Sequence, residues 1–259
     1  MCRLLGYVNT QPTSVRDALG SEAFDAFTAL TCVHGDGWGM AWRDDQGHTQ
    51  TRSAPDSAAS DADFLALSGT ALSSAGFLHL RWATDGLPVA PENTHPFSSG
   101  QFAMAHNGSI KPMDRLRDLL SPASLEAMVG VTDSEMYFRF ILEHISSYGE
   151  NEGIAMAVKI MSEQFPTSSL NALLLSESAL YAIHMSTWAP PPIEDLRVMF
   201  EDEDDIPHGH ADAYFDMAYD ITEDSVHIVS SGLVGDHWLP VPRDTILRID
   251  LLTREVTTL

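Results

Sequence analysis

A cysteine stands at position 2 of this 259-residue chain, directly after Met1. A small second residue permits removal of the initiator methionine, which would leave Cys2 with a free α-amine. That amine titrates at roughly 7.7–8.0 and a thiol at about 8.5, so the two can exchange a proton near neutral pH. One residue then supplies both nucleophile and general base. Most cysteines near a terminus are incidental, and many are simply buried, so the reading depends on the company Cys2 keeps.

That company is spread over the first half of the chain. Arg81 stands next to last in the run Phe77–Trp82, and its planar fork suits a substrate carboxylate or, equally, an ordinary ion pair. Asn107-Gly108 offers a side-chain amide next to a backbone N–H, the donor pair an oxyanion requires. The same dipeptide is also a common hairpin turn. Asp133, in Thr132-Asp133-Ser134-Glu135, is placed to bind a cation or to cap a helix. His208-Gly209-His210 lies beside carboxylates, but no second histidine pair accompanies it, so no metal site is expected, and no cofactor.

The elements that must hold these residues follow from hydrophobic period. Leu4–Val8 reads as a buried opening strand and Ser14–Leu30 as one helix with Ser14 as N-cap. Residues 34–42 read as a glycine-rich turn leading into a strand. In Phe77–Trp82 the alternation puts Phe77, His79 and Arg81 on one face and Leu78, Leu80 and Trp82 on the other. Gln101–His106 is a further strand, breaking at Asn107-Gly108. Asp133–Ser147 and Ile154–Phe165 are amphipathic helices. Leu170–Leu175 and Ala179–His184 form a hairpin, and Val226–Ser230 and Thr245–Ile249 are later strands. Strands on both sides of a helical pair predict a layered α+β sandwich rather than a doubly wound sheet.

Charge narrows the partners. Lys and Arg total 14 against 37 Asp and Glu, a formal net charge of -23. Such a surface repels phosphate backbones and anionic membranes, so neither nucleic acid nor membrane is expected as a partner. No apolar run reaches the ~20 residues of a membrane span, and the N-terminus lacks a signal-peptide core; the protein is expected to be cytoplasmic. Two cysteines, Cys2 and Cys32, make no disulfide framework. Residues 189–224 hold three consecutive prolines and twelve acidic residues against Arg197, a net -11. This stretch reads as an acidic, mobile surface insertion.

Six ordered motifs carry a resemblance: Met1-Cys2-Arg3-Leu4-Leu5-Gly6, Asp36-Gly37-Trp38-Gly39, Arg81-Trp82-Ala83-Thr84, Asn93-Thr94-His95-Pro96-Phe97, Ala105-His106-Asn107-Gly108 and Thr132-Asp133-Ser134-Glu135. Together they resemble the class II glutamine amidotransferases, and most closely the stand-alone members, which include a γ-glutamyl amidohydrolase of ergothioneine biosynthesis. The resemblance implies a four-layer αββα N-terminal-nucleophile hydrolase sandwich, a single amidotransferase domain over 1–259. It implies that Cys2 attacks a γ-amide to form a thioester, with Asn107 and Gly108 holding the oxyanion. Arg81, helped by Thr84, would hold the substrate α-carboxylate and Asp133 the α-ammonium, while Trp82 and His95 line the pocket. His106 would support the turn. Asp85 departs from the family, where histidine is common after this motif, and a carboxylate there would repel the substrate's own if it pointed inward.

The expected substrate is a small γ-glutamyl amide, either glutamine or a larger conjugate, with a separate ammonia-accepting synthase subunit as the partner open to it. Two other readings stand beside this one. An N-terminal-cysteine acylase would cleave amides lacking an amino-acid head, and would have no use for both Arg81 and Asp133. A non-catalytic binding module on the same fold would not need Cys2, Asn107 and Gly108 intact.

Overall fold

The computed structural model describes residues 2–83, 86 and 88–259. Its strands are β1 (Arg3–Thr13), β2 (Trp38–Arg43), β3 (Thr49–Ala54), β4 (Ser73–Leu80), β5 (Phe97–Ser99), β6 (Phe102–Asn107), β7 (Asn171–Leu175), β8 (Ala179–His184), β9 (Met217–Ile221), β10 (Ser225–Ser230), β11 (Leu239–Pro240), β12 (Thr245–Asp250) and β13 (Val256–Thr258). They form two antiparallel sheets, ordered β11-β9-β10-β1-β4-β2-β3 and β13-β12-β8-β7-β6-β5. The helices are α1 (Val15–Leu19), α2 (Ser21–Ala29), α3 (Ala62–Thr70), α4 (Met113–Arg117), α5 (Pro122–Glu126), α6 (Asp133–Tyr148), α7 (Glu150–Gln164) and α8 (Ile193–Met199).

Alternation along the strands makes the layers. On β1, Leu4 and Val8 enter a core between the sheets with Phe77, Leu173, Leu180 and Ile228. Their neighbours Leu5 and Tyr7 turn outward against Phe24, Phe27 and Phe64 of α2 and α3. On the second sheet, Met104, Leu174 and Tyr181 pack under Met136, Phe140 and Ile154 of α6 and α7. Three apolar layers between four layers of secondary structure, two of helices and two of strands, are the αββα sandwich expected. Each large side chain buried in them contributes roughly 1.5–3 kcal/mol.

The helix expected over Ser14–Leu30 is two. Ser14 does cap the first, its hydroxyl accepting from Asp17 N–H at 3.1 Å. Gly20 then sits at φ 81, a left-handed conformation that ends α1 and lets α2 start in a new direction.

The expected surface insertion at about 189–224 needs a larger correction. Its final part, β9, pairs with both β10 and β11 inside the first sheet. Leu196, Tyr214 and Phe215 are buried and pack with Val33. Counting charge over the whole stretch hid these apolar residues, because the acidic side chains project to solvent around them. Among the described residues, no helix is long and apolar enough to cross a membrane.

Candidate active site

Three strand ends meet at one rim of the sandwich. Cys2 immediately precedes β1, Arg81 follows β4, and Asn107 closes β6. The register Arg3↔Leu80 between β1 and β4 puts Cys2 next to Arg81. Cys2, Arg81, Trp82, His95, Gly108 and Asp133 line one small cavity of about 20 Å³. Thr84, expected to assist Arg81, lies outside the described residues, as does Asp85.

Asn107 is fully buried and held through its backbone carbonyl and its side-chain oxygen. Its Oδ1 accepts the Cys2 N–H at 2.8 Å, and its carbonyl accepts the Ser169 hydroxyl at 2.8 Å. A peptide N–H can only donate, so this contact fixes which way the amide points. The remaining amide nitrogen, Nδ2, is buried with no partner. Gly108 follows where the chain runs against the Ser169 carbonyl; a Cβ there would collide with that oxygen and lie 2.6 Å from His106 Nε2. Only glycine fits the turn.

His106 braces that turn from below. Its Nε2 donates to the Ser169 carbonyl at 2.8 Å and its Nδ1 accepts the Ser134 hydroxyl at 2.9 Å. Both nitrogens are committed, and burial lowers its pKa despite the neighbouring Asp133 charge. The imidazole is therefore neutral and structural.

Arg81 is 3% exposed, and its Nη2 donates to the Pro88 carbonyl at 3.2 Å. Nη1 is buried without a partner. Among the described residues no carboxylate forms an ion pair with it. Burying a charge without a compensating partner is costly. Asp133 opens α6 as its first helical residue, while the N-cap is Thr132, whose hydroxyl accepts from Glu135 N–H at 3.1 Å. The Asp133 carboxylate accepts the Ile110 N–H at 2.5 Å and the Ser134 N–H at 3.0 Å. A carboxylate has about four lone-pair positions, so one is used in fixing the 107–110 turn, one goes to the first turn of α6, and two are left over.

Arg3, next to the nucleophile, ties this rim to the 208–215 segment. Its Nη1 donates to the Cys2 and Tyr214 carbonyls at 3.0 and 3.1 Å, and its guanidinium lies 4.0 Å from the Tyr214 ring centroid. Its Nε donates to His210 Nε2 at 3.1 Å, where His34 also contacts at 2.9 Å. His210 Nδ1 faces the His208 carbonyl at 3.2 Å, so neither nitrogen of that histidine is free for a metal. Burial, with Arg3 beside it, pushes the His210 pKa down to about 3.

A second cavity, of about 520 Å³, adjoins the first across Trp82 and Ala83. Its lining includes Lys111, Ser169, Asp195 and Phe215. Sequence reasoning missed Lys111 and Asp195, since neither lies in a motif. It also missed His79, although the alternation of Phe77, His79 and Arg81 already placed that ring on the Arg81 face. Ser169 carried no signal at all, lying in a serine-rich turn of ordinary composition.

The family profile of class-II glutamine amidotransferases matches residues 1–211. The chain is 27% identical over 156 residues to the γ-glutamyl-hercynylcysteine sulfoxide hydrolase of Mycolicibacterium smegmatis, covering 60% of this chain and 62% of that one. It is 32% identical over 140 residues to a glutamine–fructose-6-phosphate aminotransferase of Mycobacterium tuberculosis, covering 52% and 21%. The matches span less than two thirds of these relatives' own length. Among solved structures, a glutamine aminotransferase class-II domain protein from Silicibacter pomeroyi aligns over 99% of this chain and 98% of its own, with a TM-score of 0.65 at 19% identity. That likeness speaks for the fold.

Proposed function

We propose, from the premise that the chain belongs to the class II glutamine amidotransferases, that it hydrolyses the amide bond of a γ-glutamyl compound through Cys2. The observation that carries this reading is the divided Asn107 amide: one end anchors the Cys2 nitrogen and the other is an unpaired donor. Removal of Met1 turns that nitrogen into the α-amine. The amine takes the thiol proton as Sγ attacks the γ-carbonyl, and the oxyanion is received by Asn107 Nδ2 and the Gly108 N–H. The intermediate collapses with the proton passed to the leaving amine, leaving a Cys2 thioester that water opens to glutamate. Arg81 Nη1 receives the α-carboxylate and the free lone pairs of Asp133 the α-ammonium. A fixed cation and anion select an amino-acid head, which favours this reading over an acylase of plain amides.

A glutamyl head is larger than the small cavity, so the wall of Trp82 and Ala83 must yield when substrate enters. Beyond that wall lies the larger cavity. Ammonia, the leaving group of glutamine, needs no such room. Lys111 and Asp195 offer opposite charges there, which suits a leaving amine that itself carries charged groups, and so favours a γ-glutamyl conjugate over free glutamine. The mycolicibacterial relative's name describes a substrate of that kind. Glutamate release from glutamine and from γ-glutamyl amino acids and dipeptides, measured side by side on protein lacking Met1, tests the reading. Conjugates should be turned over at least tenfold more efficiently. Equal use of glutamine would favour a synthase-coupled glutaminase, and no release from any of them would end the proposal.

A further inference from the structure

We propose that Cys2, His79 and His95 form a binding site for a monovalent thiophilic cation, copper(I) in type, which caps the nucleophile and shuts the enzyme reversibly. The three residues come from separate places in the fold: the position just ahead of β1, the inner face of β4 and the loop ahead of β5. Cys2 Sγ and one ring nitrogen from each histidine all lie within 4.8 Å of one another. A contraction of about 1 Å brings them to bonding distance of a common ion.

The histidines have no other occupation. His79 is 0% and His95 4% exposed, their rings lie 4.3 Å apart, and none of the four ring nitrogens has a hydrogen-bond partner. Buried polar groups are nearly always paired, and an exception calls for an explanation. The His106 carbonyl favours a proton on His79 without closing a hydrogen bond of ordinary geometry. A second-sphere carbonyl of this sort leaves the other nitrogen as the ligating one. Burial, reinforced by Arg81, keeps both rings neutral, which is the form that binds metal.

Charge and room choose the ion. Arg81 and Asp133 already bring one positive and one negative charge to this space, which offset each other. A monovalent cation on the Cys2 thiolate adds no net charge, whereas a divalent one leaves a buried positive charge uncompensated. The cavity lined by Cys2 and His95, with His79 behind the His95 ring, is about 20 Å³, room for one small ion and little more. Zinc prefers four ligands; three fixed donors, one thiolate and two imidazoles, suit a soft three-coordinate ion.

The test uses the full chain lacking Met1, with Cys32→Ser to remove the other, exposed thiol. Copper(I) is titrated anaerobically against a colorimetric copper(I) chelator, with zinc in parallel, and X-ray absorption identifies the ligands. One copper(I) per chain, bound at least tenfold more tightly than zinc through one sulfur and two nitrogens, is expected. Glutamate release should fall in step and return on adding chelator. Cys2→Ser, a one-atom change, should abolish binding, and His79→Leu should weaken it at least tenfold. A copper retained by Cys2→Ser, tighter binding of zinc, or no copper in the parent would each overturn the site. Copper stoichiometry is read without any turnover, so its failure is separate from failure of the γ-glutamyl assignment.

Discussion

Asn107 Oδ1 holds the Cys2 nitrogen at 2.8 Å while Nδ2 of the same amide stays buried and unpaired. One side chain therefore has two separable duties. Asn107→Asp keeps an acceptor for the Cys2 nitrogen but replaces the donor with a negative charge. Its kcat should fall by about 10²–10³ or more, since losing one oxyanion donor costs that much, with little change in KM. Steady-state kinetics with a γ-glutamyl amide reads the result; a kcat within threefold of wild type would remove Asn107 from the oxyanion hole.

Maturation should be required for turnover. Intact-mass measurement is expected to show protein beginning at Cys2, and a form that keeps Met1 should be inactive, because an amide nitrogen cannot serve as the base. Full activity in a Met1-retaining preparation would refute the one-residue mechanism.

Arg81→Ala should weaken hydrolysis of γ-glutamyl substrates about ten- to a hundredfold in kcat/KM, the loss of a charge-assisted hydrogen bond of roughly 1.5–3 kcal/mol. It should leave a simple acyl amide unaffected. Asp133 also holds the Ile110 N–H, so Asp133→Asn is the better probe of its charge than alanine. Comparison of the two substrate types in each variant separates head-group recognition from damage to the turn.

Limited proteolysis should cut the acidic stretch between Phe200 and Asp212 and spare 214–230. The first part carries exposed acidic residues, whereas Tyr214 and Phe215 are buried and β9 is paired on both sides. Early cleavage within β9, mapped by mass spectrometry, would contradict its place in the sheet.

Acid should destabilise the fold well above the carboxylate range. His210 has a folded pKa of about 3, depressed by burial and then by Arg3, against about 6.5 when unfolded. Between those values the unfolded chain binds a proton that the folded chain refuses. Stability is therefore whole above about pH 6.5 and falls as pH drops toward 3, by at most ~1.4 kcal/mol per pH unit for each such histidine. His79 and His95 act in the same direction. Urea unfolding at pH 7 and pH 5 should show the loss, and His210→Gln should reduce its slope; an identical slope would show that His210 is protonated in the fold.

Much of the sandwich was legible because its strands alternate and its main helices keep the 3.6 period. Leu4–Val8 and Asp133–Ser147 lie within observed elements, and the strand read over Phe77–Trp82 is present but ends at Leu80. β9 was not legible, because Met217, Tyr219 and Ile221 alternate within residues whose acidity points the other way. At the site, Cys2, Arg81, Asn107-Gly108 and Asp133 were grouped by the family resemblance of their motifs, since each alone reads equally well as an ion pair, a turn or a cap; the structure brings them to one rim. Sequence spacing cannot show that Ser169, 62 residues on, clamps the Asn107 turn. Nor can it show that Asp133 spends part of its carboxylate on Ile110.

The position of β1 has a consequence for synthesis. Its two neighbours are β4 and β10, with Leu5 opposite both Leu78 and Val229. Synthesis adds several residues per second, so β10 leaves the ribosome long after Cys2 does. Until then one flank of the first strand is open, and the Arg3 contacts to His210 and Tyr214 are missing. Contacts this distant in sequence close late. The thiol end of the molecule is made first and fixed last, so a nascent or truncated chain ending before about residue 230 should carry an unassembled, inert cysteine.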